Sequence, residues 1–182
     1  MNRRDCLFLF ALALAAPQAR AHTPYGRWKL LRQRYLLVHS TRTDPASDMI
    51  AEKIVATLKR VLPKANALVA RAPDSQRIAS LLTTGQAVLA VMRPNEAAKL
   101  FRGEAPFDAF SGVSLRVVLQ VEGHVLVSVA DFPAHHAWLL AAALSQDASL
   151  APNSVPADAV LGVPVHEGAA AFRRGDPLEA TQ

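Results

Sequence analysis

Cysteine is almost missing from this 182-residue chain: Cys6 is the only one. It lies in an N-terminal stretch that reads as a cleaved leader, so what remains has no disulfide, no thiol nucleophile and no thiolate metal site. Stability must come from the core. Other absences narrow the function. There is no G-x-S-x-G nucleophile elbow, no G-x-x-x-x-G-K-[ST] phosphate loop and no G-x-G-x-x-G fingerprint. No pair of carboxylates is spaced for acid–base work, so the sequence points away from an enzyme and calls for no cofactor. Six histidines raise the question of a metal. No H-x-x-x-H spacing occurs, however, and the neighbours His135 and His136 fall on different faces of a helix, so no metal site is expected. Internal repeats and long low-complexity segments are also lacking. The formal net charge of +5 is small and dispersed, which argues against nucleic acid as a partner.

What is present begins with the leader. Arg3 and Arg4 precede an apolar run over residues 6–16, followed by Pro17 and the small-residue pattern Ala19-Arg20-Ala21. This is the layout of a secretory signal peptide over residues 1–21, with cleavage after Ala21 and export to the periplasm. The run is too short to span a bilayer as a helix. Arg3-Arg4 followed by Asp5, Cys6 and Leu7 also matches a twin-arginine signal, and both export routes stay open. Residues 22–34 form a basic segment, with Arg27, Lys29, Arg32 and Arg34 around Trp28, that reads as a solvated edge rather than a contact for lipid or an acidic partner.

Residues 35–40 (YLLVHS) read as a buried strand. Asp44-Pro45 then predicts a helix cap with proline at the first helical position, and Ile50, Ile54, Leu58 and Val61 recur at helical spacing until Pro63. A short strand over 67–70 follows. A second helix is capped by Asp74 or Ser75, carries Ile78, Leu81 and Leu82, and is closed by Gly85. Residues 87–92 (AVLAVM) are another buried strand, leading to a helix from Pro94 to Arg102 that Gly103 ends. Phe107 and Phe110 are expected to anchor the next loop. Two strand-like runs, 114–121 and 124–130, meet at Glu122-Gly123 as an antiparallel hairpin. Asp131 and Pro133 open a helix to about Ser145, and a last helix runs from about Glu167 to Arg174. The fold expected over residues 35–175 is a single α/β lobe: one open, mostly parallel sheet with helices on both faces and an antiparallel hairpin at 114–130. A mobile tail is expected over 176–182.

Two stretches resemble a known family. One runs over 81–115, with Gly85, the strand AVLAVM, Gly103, Pro106-Phe107 and Leu115-Arg116. The other is Gly162-Val163-Pro164-Val165-His166-Glu167-Gly168-Ala169, followed by Phe172 and Arg173. Together with residues 124–144 they resemble the TAXI-type solute receptors of TRAP transporters, which have a type II periplasmic-binding fold. The resemblance implies two α/β lobes, and here Glu122-Gly123 stands where the second would be inserted, so the chain reads as one lobe. It further implies uptake of a small, carboxylate-type anionic solute, with a TRAP-type membrane permease as partner. The family's glycine-rich loop after the first strand is replaced by the glycine-free His39-Ser40-Thr41-Arg42-Thr43-Asp44-Pro45.

In open α/β sheets the ligand crevice lies beyond the carboxyl ends of the parallel strands. That rule selects Ser40, Thr41 and Thr43 after the first strand, Ser75 beside Asp74 after the second, and Arg93 and Asn95 after the third. Helix N-termini there favour an anion, and Arg93 can pair bidentately with a carboxylate. The competing reading makes Asp44, Asp74 and Ser75 helix caps and Arg93 a solvated turn residue. Two functions follow. In one, the lobe binds or hands over a small anionic solute, with a second wall supplied by another chain, for example by homodimerisation. In the other, it is an adaptor whose crevice grips a periplasmic partner protein.

Overall fold

Short apolar runs alternating with amphipathic helical stretches fold here into one sheet covered on both faces. The computed structural model describes residues 35–110, 112–150 and 155–178; the expected leader, the basic segment to residue 34 and the last four residues lie outside them. The strands are β1 (Leu37–Thr41), β2 (Leu68–Ala72), β3 (Leu89–Met92), β4 (Leu115–Val121) and β5 (His124–Val129). The helices are α1 (Pro45–Val61), α2 (Ser75–Thr83), α3 (Pro94–Arg102), α4 (Ala134–Leu144) and α5 (Glu167–Arg174). None of the described helices is long and apolar enough to cross a membrane.

The strand order is β2-β1-β3-β5-β4. β1 lies between β2 and β3 and is parallel to both, whereas β5 is antiparallel to β3 and to β4. Four strands therefore share one direction, and β5 alone runs back between two of them. The sheet is thus mixed rather than mostly parallel: inserting the returning arm of the hairpin between β3 and β4 makes half the ladders antiparallel. β1 and β3 are buried throughout, as strands covered on both faces must be; β3 accordingly reads as an unbroken apolar run, whereas β1 ends in the buried polar His39, Ser40 and Thr41. β2 extends to Ala72, beyond the expected end at residue 70. Its Arg71 disguises the strand in the sequence, and an edge position lets that side chain reach out to Asp48 and Glu52.

Two clusters fill the two faces. α1 and α4 supply Ile50, Ile54, Leu58, Leu140 and Leu144 against Val38, Leu89, Val91 and Leu126. α2 and α3 supply Ile78, Leu82 and Leu100 against Ala90, Met92, Val125 and Val127, with Phe107 fully buried among them. Phe107 anchors its loop as expected, and Phe110 packs against the same cluster while half-buried.

The hairpin joins β4 to β5 through Glu122 and Gly123, at φ 47° and 78°. Positive φ at both turn residues is the backbone of a type I′ turn, whose twist matches that of the paired strands. Between Val117 and Leu119 the register slips by one residue, a β-bulge. Before it, Leu115 and Val117 face the α2–α3 side; after it, Leu119 and Val121 face the α1–α4 side. The extra residue re-aims the strand. The outer edge of β4 also receives the chain again near its end, where the amide of Val117 donates to Pro164 (2.8 Å) and that of His166 donates to Val117 (2.8 Å).

His166 and Gly168 then seat the last helix. The His166 Nε2–H donates to the carbonyl of Phe132 (2.9 Å), while Nδ1 accepts from the Gly168 amide (3.2 Å). One neutral tautomer satisfies both bonds. A Cβ on Gly168 would lie 1.8 Å from the carbonyl oxygen of Ala134, so only glycine lets α5 approach the start of α4 this closely. Trp138 and Phe172 complete the joint edge to face at 5.4 Å, and the Trp138 indole donates to the carbonyl of Asp176 (2.9 Å).

Candidate functional site

The carboxyl ends of β1, β2 and β3 lie along one edge of the sheet, and because β5 is antiparallel its first residue, His124, joins them there. Three side chains converge. The Asp44 carboxylate accepts from Arg93 Nε and from His124 Nε2 through the same Oδ2, each at 2.9 Å. Asp44 stands where it would cap α1, but its side chain makes no cap bond. Instead its carbonyl accepts the Ser47 amide (3.0 Å) and hydroxyl (2.7 Å), and the carboxylate turns toward β3 and β5. The expected side-chain cap at Asp44 is thus replaced by an ion pair. Asp74 does cap α2, accepting from the Arg77 amide at 2.7 Å.

Asp44 and His124 are nearly covered, whereas the Arg93 side chain is 59% exposed. Burial pushes the Asp44 carboxyl up, but hydrogen bonds from His124 and Arg93, together with their charges, outweigh it and hold Asp44 below the ordinary aspartate value. The other imidazole nitrogen of His124 lies 3.3 Å from the carbonyl oxygen of Glu122. Among the described residues Arg93 is held by its Nε alone, on Asp44, so the guanidinium is fixed at one end while the side chain stays largely exposed. No side chain caps α3, of which Arg93 is the residue before the first turn.

The sequence-selected residues divide by exposure. Ser40 and Thr41 are buried. The Ser40 hydroxyl donates to Asp48 Oδ1 (2.9 Å), and the Thr41 amide donates to the Ser47 hydroxyl (3.2 Å). Both thus brace the start of α1 from within. Thr43, Arg93 and Asn95 are exposed and Ser75 is half-buried. Beside Ser40, burial raises the Asp48 carboxyl, but hydrogen bonds from Arg71 and Ser40 bring it below its ordinary value. Lys53 and Glu122 form a further exposed pair at 2.6 Å. The edge is therefore lined by charges that mostly neutralise one another, with the outer face of Arg93 as an open donor. Chemically it can hold an anion weakly and in a defined orientation.

Asp44 and His124 were not selected as binding residues from the sequence. The usable signal was the hairpin itself: a two-residue turn returns β5 at the edge where β4 ends, so its first residue must lie beside the carboxyl ends of the parallel strands. His39, at the other end of the same reasoning, points elsewhere and its Nδ1 lies 3.2 Å from the carbonyl oxygen of Leu89. Among the described residues no group of three histidine, aspartate, glutamate or cysteine side chains is placed to hold a metal ion. Two cavities, of about 660 and 420 Å3, open at the opposite edge, around Leu36 and Val88 and around Val113 and Val129. Comparison of the chain with protein-family models, with curated proteins and with solved structures finds no match in any of the three.

Proposed function

We propose that this chain is an exported, non-enzymatic, single-lobe protein that binds or hands over a small carboxylate-type solute at the carboxyl edge of its sheet, as its resemblance to TAXI-type receptors of TRAP transporters implies. The observation that carries this reading is the Arg93 guanidinium, held through Nε by Asp44 on a side chain that is largely exposed. That arrangement pre-orients a fork for a carboxylate. The Asn95 side chain and the uncapped first turn of α3 lie beside it in the chain, and Thr43 follows β1 at the same edge. Asp44 cancels one positive charge and Glu96 adds to the acidic surroundings of Arg93, so affinity is weak unless a second wall is supplied. A second copy of the chain or a membrane permease fills that role.

A thermal-shift and calorimetric screen of dicarboxylates and amino acids tests it. Saturable stabilisation by at least one carboxylate, lost in Arg93→Met and retained in part in Arg93→Lys, supports the reading. A flat response across the panel sinks it. The openness of the edge favours one other reading, an adaptor that grips an acidic residue of a partner protein through the same arginine. A flat panel together with stoichiometric co-purification of an exported protein, abolished by Arg93→Met, would establish that instead.

A further inference from the structure

The larger cavity has a different character from the Arg93 edge. It opens at the amino end of the parallel strands, where Leu36 precedes β1 and Val88 precedes β3, and it continues over Phe132 to Leu139 of α4 and Leu62 beyond α1. Its volume of about 660 Å3 lies within the range of small-molecule sites, which are concave and mostly apolar with a few polar groups. Among the described residues of its lining the exposed polar ones are Lys64 and His136, and none is acidic.

Helix α4 explains why this surface is apolar. Its sequence, AHHAWLLAAAL, is apolar on nearly every side, as expected of a helix with neighbours all around. Ala137, Leu140, Ala141 and Leu144 pack on the sheet, and Trp138 packs on Phe172 of α5. Leu139, half-buried, and His136 are left over, and both line the cavity. Partial burial and the neighbouring His135 ring, 4.0 Å away, hold His136 below the ordinary imidazole value. At neutral pH it is a neutral hydrogen-bonding group, and Lys64 carries the charge. Lys64 forms no ion pair with any described residue.

We infer that this groove is a second binding site, distinct from the Arg93 edge, for an amphipathic carboxylate: a free fatty acid with its chain against Leu36, Val88, Phe132 and Leu139 and its headgroup at Lys64. Charge complementarity selects this occupant. An uncharged hydrocarbon leaves Lys64 unused, and the chain's own sequence before Tyr35 is itself basic, with Arg27, Lys29, Arg32 and Arg34, and so does not complement a lysine.

The test titrates the full chain with dansyl-undecanoic acid and displaces the probe with myristate or tetradecanol. Saturable one-to-one binding is expected, with myristate displacing the probe roughly tenfold more effectively than the alcohol. Leu139→Asp should abolish binding. Lys64→Glu, an exposed substitution outside the core, should leave the fold intact and erase the preference for the acid, while Arg93→Met should leave binding unchanged. Four outcomes overturn the inference. Absence of saturable binding, or equal affinity for acid and alcohol, removes the carboxylate. Binding that appears only after Trp28→Ser and Leu31→Ser assigns the groove to the chain's own N-terminal segment. Association with phosphatidylglycerol vesicles without binding of monomeric myristate assigns it to a membrane surface.

Discussion

Arg93 and Asp44, 49 residues apart in the chain, meet at 2.9 Å through Nε and Oδ2, and the same carboxylate oxygen accepts from His124, a further 31 positions past Arg93. This one carboxylate ties the loop after β1 to the loop after β3 and to the start of β5. It has also been diverted from the helix-capping role that its position before Pro45 suggests.

Replacing Asp44 with alanine leaves the covered imidazole of His124 and the Nε of Arg93 without their acceptor. A loss of about 2 kcal/mol is expected, because one partner is nearly buried and the other largely solvated. The pH dependence has a definite sign. Asp44 titrates below its ordinary value in the folded state, so its contribution is present above the unfolded aspartate range near pH 4 and disappears as pH falls through the lower folded value. Urea unfolding at pH 7 and pH 3 should show a smaller acid penalty for Asp44→Asn than for the wild type. Equal penalties would remove the argument.

Gly168→Ala should be strongly destabilising, by at least about 2 kcal/mol, since the new methyl would overlap the carbonyl of Ala134 at 1.8 Å. The clash lies against backbone, which cannot step aside like a side chain. Ala169→Gly, one residue further along α5, is a comparison for the glycine change alone. A thermal melt in which Gly168→Ala matches the wild type would show that the two helices can separate without cost.

His166 is buried and neutral, and burial holds it below the ordinary imidazole value even though its bond to Phe132 pulls the other way. Protonation therefore favours the unfolded chain. The stabilising contribution is complete above about pH 6.5 and is lost as pH falls from there toward the depressed folded value. His136 acts in the same direction, so the comparison needs a variant. His166→Asn, whose side-chain oxygen can still cap the Gly168 amide, should lose about 1 kcal/mol at pH 7.5 and show a flatter stability profile between pH 7.5 and 5. An unchanged slope would assign the pH response to another group.

Ser128, the second-to-last residue of β5, is fully buried, and its hydroxyl finds no partner among the described residues. Such a group has given up water without compensation. Ser128→Ala should raise stability by about 1 kcal/mol, read as a higher urea midpoint at unchanged m-value. A drop would mean that an ordered water or ligand satisfies the hydroxyl.

Helices were the most legible part of the chain. Pro94, Gly103, Glu167 and Gly175 mark the ends of α3 and α5 in sequence and in space, because proline at a first turn and glycine at a left-handed C-cap are local requirements. The Glu122-Gly123 turn was legible for the same reason: a two-residue hairpin loop demands positive φ, which Gly123 supplies. Less was visible in β2, where Arg71 breaks the apolar pattern, and nothing signalled the bulge at Val118, since every residue from Val117 to Leu119 is apolar.

The candidate site divides along the same line. The rule for open sheets brought Arg93, Thr43 and Asn95 to one edge from sequence order alone, because the carboxyl end of each parallel strand is fixed once strand directions are known. It did not reveal that Ser40 and Thr41 turn inward, nor that Asp44 and His124 form the buried support of Arg93. The sequence alone determined where the helices and most of the strands form, and that a tight hairpin joins the last two strands. Those are properties of neighbouring residues and of backbone sterics. Only the tertiary structure decided that β5 inserts between β3 and β4, making the sheet mixed. That insertion carries His124 to Asp44, 80 residues away, and no local pattern records a contact that exists only after the hairpin has packed.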